Sequence, residues 1–389
     1  MSDFVICATR SMRRYAEKVV DGMSKLPRFA GKREHFGGVG LLRADRFADG
    51  EMEVAVGASV RGRHVVVFAS CARNEAGISL EEAKIELYHA VDALKRCQPG
   101  KITVFEPFVS CSRSDRALRR SSVGLWVHLK TLASLGAQHI ITYQLHSDKS
   151  KSMVDPAICA LDDIPAHTLL QQRICDAYIQ DMAALGGEVR SNWAFCSVDA
   201  GGEKLARTFA NAFQAHLVIA HKQRDASRPN AVESVNILSA EPVEGKTLWI
   251  VDDMVDTAGS VETLVRALAP LRPREVNIVA VHALFSPPAA ERLRALAEEG
   301  LLRRVMVTDT VCPDALAGRV PGLEVVPSTW MSARIINSIV TNAPMGELLL
   351  KFDATAYLKS PALWHYAPAE AAAAKGWVGD WGMADEQRP

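Results

Sequence analysis

Thr247-Leu-Trp-Ile-Val-Asp-Asp-Met-Val-Asp-Thr-Ala-Gly-Ser260 is the stretch on which the reading of this chain turns. It opens on an apolar, β-prone run, Leu248 to Val251, that ends in two adjacent carboxylates, Asp252 and Asp253. Asp256, Thr257, Ala258, Gly259 and Ser260 follow. Beyond them Val261, Leu264, Val265 and Leu268 fall at i, i+3, i+4 and i+7, the stripe of an amphipathic helix. The pattern predicts a buried strand, an acidic loop, a small-residue turn and a helix start. In open α/β sheets, ligands sit in the crevice outside the carboxyl ends of the strands. A helix N-terminus there offers free N–H groups and a positive dipole end to a phosphate. Carboxylates in the same loop can accept hydrogen bonds from sugar hydroxyls. The combination points to a phosphorylated polyol as ligand.

The same alternation of strands and helices extends in both directions. Strands are expected at residues 4–8, 52–56, 64–70, 102–108 and 140–146, and helices at 13–23, 81–97 and 124–135. A second cycle has strands at 194–199, 217–220, 248–251, 276–285, 305–308 and 324–326, and helices at 169–185, 203–213, 289–298 and 333–339. A polar stretch, 221–230, follows the strand at 217–220. Arg61-Gly-Arg-His-Val-Val-Val-Phe68 leads through a loop and a helix to the next strand, as does Glu244-Gly-Lys-Thr-Leu-Trp-Ile-Val251. We read a duplicated α/β unit, each copy a mainly parallel sheet flanked by helices. The expected domains are 1–165, 166–350 and a C-terminal extension, 351–389, which is short of core-forming residues. The first copy carries Cys71-Ala-Arg-Asn74 where the second has its acids.

Composition narrows the function. The chain has 389 residues, 48% apolar, enough for two sizeable cores. Lys plus Arg number 45 and Asp plus Glu number 45, so no charge excess argues for nucleic acid or an anionic membrane. No apolar run approaches a membrane span, and no secretory leader is visible at the start. Eight scattered cysteines without a Cys-x-x-Cys pair fit reduced thiols and a cytoplasmic location, and argue against zinc. Ala240-Glu-Pro-Val-Glu-Gly-Lys-Thr247 matches a relaxed phosphate-loop pattern, but a strand follows it instead of a helix. Its two glutamates would also repel phosphate, so it reads as a turn between strands.

Val251-Asp-Asp-Met-Val-Asp-Thr-Ala-Gly-Ser260 closely resembles the signature of ribose-phosphate pyrophosphokinases. Further motifs follow in that family's order: Arg46-Phe-Ala-Asp-Gly-Glu51, Ser112-Arg-Ser-Asp-Arg116, Leu145-His146-Ser147, Val198-Asp-Ala-Gly-Gly202 and Ala220-His-Lys-Gln-Arg224. The resemblance implies two similar phosphoribosyltransferase-like domains. It implies transfer of a pyrophosphoryl group from ATP to ribose 5-phosphate, giving phosphoribosyl pyrophosphate and AMP, with magnesium as cofactor. A homo-oligomer, hexamer or dimer, goes with it.

Carried over residue by residue, the resemblance places Asp252 and Asp253 at the ribose hydroxyls. Asp256, Thr257, Ala258, Gly259 and Ser260 complete the ribose 5-phosphate loop. His146 and Asp199 match the metal side. Lys222 and Arg224 match cations on a mobile loop that closes on the transferring phosphates, where fixed charge stabilises the transition state. Arg113 and Asp115 would contact ATP, and Phe47, Asp49 and Glu51 would shape the adenine pocket from a neighbouring subunit. By residue type alone His146 could be a core or capping histidine, Asp199 a helix cap, Phe47 a core anchor, and Lys222 and Arg224 a solvated run. The sequence departs from the family at Ser114 (usually glutamine), Gln223 (usually a cation) and Gln144 (usually an acid). Two other functions fit the acid loop. One is a catalytically silent, regulatory member that binds nucleotide or ribose phosphate. The other is a phosphoribosyltransferase that consumes the product, against which the duplication and the Lys222/Arg224 segment argue.

Overall fold

The computed structural model describes residues 4–117, 120–224, 232–312 and 318–359. These fall into two compact units. The first contains the chain up to Pro165 together with Ser328–Leu350, and the second contains Ala166–Pro327 and the residues from Lys351.

In the first unit, β1 (Phe4–Ala8), β4 (His64–Phe68), β5 (Lys101–Glu106), β6 (His139–Tyr143) and β7 (Ala160–Ile164) form one sheet in the order β1-β4-β5-β6-β7. Every pairing is parallel. Such strands are covered on both faces, which is why they read as unbroken apolar runs. The helices Leu80–Arg96 and Gly124–Leu135 carry the chain between them. A separate antiparallel hairpin, β2 (Leu42–Arg46) and β3 (Met52–Val56), lies between β1 and β4 in the chain.

The second unit has seven strands: β8 (Trp193–Ser197), β9 (His216–Arg224), β10 (Val232–Ser239), β11 (Thr247–Val255), β12 (Glu275–Ala283), β13 (Arg304–Thr308) and β14 (Leu323–Val326). Their order is β10-β9-β8-β11-β12-β13-β14, and only β10 runs antiparallel. The series β8-β11-β12-β13-β14 repeats the series β1-β4-β5-β6-β7, with an antiparallel pair inserted at the same point of each. The duplicated α/β unit is therefore present. On the helix Gly259–Leu268, Val261, Leu264, Val265 and Leu268 are all buried against the second sheet, as their spacing predicts. Each such burial contributes roughly 1.5–3 kcal/mol. Residues 240–246 form a turn between β10 and β11, so the phosphate-loop look-alike is structural.

The closing helices of the two copies are exchanged. The helix His167–Tyr178 follows β7 in the chain but belongs to the second unit. The helix Thr329–Thr341 follows β14 but belongs to the first. There the Tyr15 hydroxyl lies 2.7 Å from Ser328 Oγ and 2.8 Å from Ser332 Oγ. The Tyr143 hydroxyl lies 2.6 Å from Ser332 Oγ. Gly22 permits the approach, since a Cβ on it would sit 3.2 Å from the Ala333 methyl. The reading of 166–350 as one domain differs from this division over Ser328–Leu350.

Three local expectations are corrected. β11 runs on to Val255, because its parallel neighbour β12 is equally long and pairs with it as far as Val255↔Ala283. Asp252 and Asp253 thus lie on a strand rather than in a loop. β9 runs to Arg224 because β10 pairs with it, opposite Lys222 at Val235 and opposite Arg224 at Val232. β6 stops at Tyr143, where Gln144 takes a left-handed φ of 46°. Of the extension, Ala354–Lys359 is helical, and residues 360–389 lie outside the described residues.

Candidate active site

The chain leaves β8 for β9 on one side and later enters β11 on the other. The gap between the C-terminal ends of β8 and β11 is therefore a topological switch point, where ligands of open α/β sheets bind. The β8–β11 ladder stops at Ser197↔Val251, while β11 continues alongside β12. Residues 252–255 are thus held by the sheet on their β12 side.

Asp199, two residues past β8, accepts hydrogen bonds at Oδ1 from the N–H groups of Gly201 (2.9 Å) and Gly202 (3.1 Å). It therefore organises the turn before the helix Glu203–Phe213 without capping the helix itself. Its charge also reaches the acid pair. The Asp252 carboxyl is pushed well above the usual carboxylate range, first by burial, then by the adjacent Asp253 carboxylate, with Asp199 adding to the effect. The Asp253 N–H, which donates to Asp252 Oδ1 at 3.0 Å, opposes the shift. The Asp252 carboxyl thus feels the charge of both other aspartates.

Asp256, Thr257 and Ala258 make the turn after β11, and the helix starts at Gly259. Ala258 has φ 59° and caps the helix without a side-chain hydrogen bond. The Glu262 N–H, donating to the Ala258 carbonyl at 2.8 Å, is the first intrahelical donor. The N–H groups of Gly259, Ser260 and Val261 precede it and have no acceptor one turn back in the helix. Thr257 and Ser260 are exposed, while the Ala258 methyl is buried in the core. The sequence reading did not single out Arg292, on the helix Ala289–Glu298. Its Nη1 donates to the Thr257 carbonyl at 2.9 Å. Nothing in the local pattern marks it, because an arginine on the polar face of a helix is ordinary.

In the first unit Phe47, Asp49 and Glu51 occupy the tip of the β2–β3 hairpin. Phe47 N–H donates to the Glu51 carbonyl at 2.9 Å, and Asp49 Oδ1 accepts from the Glu51 N–H at 3.0 Å. Phe47 is 55% exposed, so it is not a core anchor. Arg46 fixes the tip. Nη1 donates to the Gly50 carbonyl at 2.7 Å, and Nη2 pairs with Glu82 at 2.6 Å. Glu82 also takes Arg10, at 3.2 Å.

Arg113 and Asp115 flank Ser114 in the loop after β5. Ser114 Oγ accepts from the Gly124 N–H at 2.9 Å and its carbonyl from the Leu125 N–H at 3.1 Å. The serine thus caps a helix whose start lies ten residues away. Asp115 lines an apolar cleft of about 540 Å³ with Ser122, Val123, Trp126, Val127 and Met153. His146 is exposed, three residues past β6, and belongs to the first unit, whereas Asp199 belongs to the second. Among the described residues no three histidines, cysteines or acids are grouped as a metal site. Lys222 and Arg224 lie on β9, and their side chains fall outside what the structure describes.

Comparison with known proteins separates the candidates. Residues 4–136 match the family model for the N-terminal domain of ribose phosphate pyrophosphokinase, and residues 169–298 match the phosphoribosyl transferase domain. The ribose-phosphate pyrophosphokinase of Fusobacterium nucleatum is 31% identical over 313 residues, covering 80% of this chain and 90% of that protein. The chain belongs to the ribose-phosphate pyrophosphokinase family. The Burkholderia pseudomallei member is likewise 31% identical, over 306 residues, covering 77% of this chain and 87% of its own. The crystal structure of the phosphoribosylpyrophosphate synthetase from Mycobacterium smegmatis superposes with a TM-score of 0.72 at 26% identity, covering 87% of this chain and 99% of that one. The first match takes in β1 to β5 and the second β8 to β12. Membership separates this chain from a phosphoribosyltransferase standing alone, which would lack the first domain. No helix among the described residues is long and apolar enough to cross a membrane.

Proposed function

We propose that the protein transfers the terminal pyrophosphoryl group of ATP to the 1-hydroxyl of ribose 5-phosphate. The sugar O1 bonds to the β-phosphorus, the bond from that phosphorus to the α,β-bridging oxygen breaks, and AMP leaves with that oxygen. The hydroxyl proton is released. Phosphoribosyl pyrophosphate is the product. The observation that carries this reading is the acid pair on β11 running directly into an open helix N-terminus, in a chain whose two halves both match the family.

Each side chain then has a task. Asp252 and Asp253 accept hydrogen bonds from the ribose hydroxyls. Asp256, Thr257, Ala258, Gly259 and Ser260 surround the 5-phosphate, whose charge meets the positive end of the helix. Phe47, Asp49 and Glu51 take the adenine, and Arg113 and Asp115 the rest of ATP. Lys222 and Arg224 neutralise charge on the transferring group. Such transfer depends mainly on positioning and charge neutralisation.

Magnesium fits the second unit by donor chemistry. The Asp199 carboxylate offers the hard oxygens it prefers, and since no three acids are grouped to hold the ion among the described residues, phosphate oxygens and water would complete its shell. We assign His146 and Asp199 to the metal side, each on the argument of its own unit. The bound ion would draw charge from the phosphate oxygens. Assembly as a homo-oligomer and a cytoplasmic location complete the proposal.

The test is direct. Purified protein, ATP, ribose 5-phosphate and magnesium should yield AMP and phosphoribosyl pyrophosphate in equal amounts by ion-exchange chromatography. Binding of both substrates without AMP at any phosphate concentration would replace this reading with the silent, regulatory one. Ser114 is the structural feature that favours that alternative, since its hydroxyl is engaged by a helix.

A further inference from the structure

We infer that Arg292 is a positioning residue that holds the turn at 257–259 in the shape that receives the 5-phosphate. The inference rests on the assignment of Thr257, Ala258, Gly259 and Ser260 to that phosphate. Ala258 sits at φ 59°, a left-handed conformation that a residue with a Cβ adopts only when its surroundings impose it. Arg292 supplies the imposition at two points. Nη1 donates at 2.9 Å to the carbonyl of Thr257, the peptide that leads into Ala258. Nε pairs at 3.2 Å with Oε2 of Glu262. The Glu262 N–H in turn donates to the Ala258 carbonyl at 2.8 Å. The guanidinium therefore ties the peptide before the strained residue to the first helical turn after it.

Gly259 records how close the guanidinium lies. A Cβ added there would come within 2.9 Å of Arg292 Nη1, so a side chain would lift the arginine off the turn. A planar fork can serve a carbonyl and a carboxylate at once, which the single point charge of a lysine cannot. Asp252 and Asp253 need no such support, because β12 already holds them.

The test is a double-mutant cycle read by calorimetric titration with ribose 5-phosphate. Arg292→Met keeps the packed stem and removes the donors. It should weaken the sugar phosphate roughly tenfold, about 1.4 kcal/mol. It should also raise KM for ribose 5-phosphate in proportion while kcat at saturating sugar phosphate stays within about twofold, the pattern of lost uniform binding. In an Ala258→Gly background the same change should cost about threefold or less, since glycine takes the left-handed conformation unaided. An undiminished loss in the glycine background would overturn the positioning role, as would wild-type affinity in Arg292→Met. Arg292→Lys should fall between wild type and Arg292→Met, and thermal melting of each variant guards against a fold defect. A wild-type protein that binds no ribose 5-phosphate would instead remove the phosphate assignment itself, a distinguishable failure.

Discussion

Ser114→Ala would remove one oxygen and isolate what that departure from the family does. In the structure this oxygen accepts the Gly124 N–H at 2.9 Å, at the first residue of the helix Gly124–Leu135. Val123, immediately before the helix, has no side chain that could replace it, so the N–H would be left to water. Loss of a capping acceptor costs about 1 kcal/mol, within a range of roughly 0.5–2. For a domain of about 150–250 residues that lowers the melting temperature by roughly 2–4 °C. Differential scanning calorimetry of the two proteins would measure it, with Ser114→Thr, which keeps an acceptor, melting like wild type. The same bond sets the loop that carries Arg113 and Asp115, so the KM for ATP should rise while that for ribose 5-phosphate holds. An alanine variant that melts within about half a degree of wild type would show that water replaces the cap at no cost, and the anchoring argument would fail.

Three other perturbations address separate parts of the chain. Glu82→Gln weakens the pairs to Arg46 and Arg10 that steady the β2–β3 tip. Partly exposed pairs are worth about 0.2–1 kcal/mol each, so stability should change little while KM for ATP rises several-fold; a raised KM for ribose 5-phosphate alone would contradict the adenine-side assignment. Asp252→Asn should stabilise the metal-free, ligand-free protein, and by more as pH rises. The folded protein holds the Asp252 proton to a higher pH than the unfolded chain does, so wild-type stability falls across the window between those two pKa values. Melting curves from pH 4 to pH 8 should show the gap widening, and a gap independent of pH would refute the cause given for the shift. Lys222→Ala should lower kcat by about two orders of magnitude or more with ribose 5-phosphate binding nearly intact, if its charge acts on the transferring group.

What the sequence disclosed, and what it hid, follows from the range of the forces involved. The stripe Val261, Leu264, Val265, Leu268 was legible because burial of one helical face imposes its own period. The alternation of strands and helices was legible for the same reason, and so was the duplication. The strand character of Asp252 to Val255 was not, since it comes from β12 lying alongside, and acids are poor strand formers by themselves. Likewise Lys222 and Arg224 read as loop until β10 supplies the pairing. The exchange of closing helices was hidden because an amphipathic helix announces that it needs a partner, not which unit provides it. Ser114 and Arg292 act across ten and thirty-five positions, beyond any local motif.

The duplication also supplies an internal control for the ligand assignment. In the first copy the helix after β4 begins at Leu80, and Ser79 caps it, its Oγ accepting the Glu82 N–H at 3.2 Å. The loop before it is closed by Asn74. Its Nδ2 donates to the carbonyls of Ala72 and Ile78, and its Oδ1 accepts from the N–H groups of Ala76 and Ile78. That connection satisfies itself. In the second copy the equivalent helix begins four residues past β11, and its cap is Ala258, with no side-chain oxygen to offer. The alanine there has no oxygen with which to cap the helix. It also holds a left-handed φ that costs roughly 1–2 kcal/mol. The two copies thus differ at the turn proposed for the phosphate: one helix is capped by its own side chain, and the other is strained and has no side-chain cap. The acid cluster on the adjoining strand end asks for hydrogen-bond donors or a cation. The sugar phosphate proposed above, with hydroxyls at one end and a phosphate at the other, would meet both features in a single molecule.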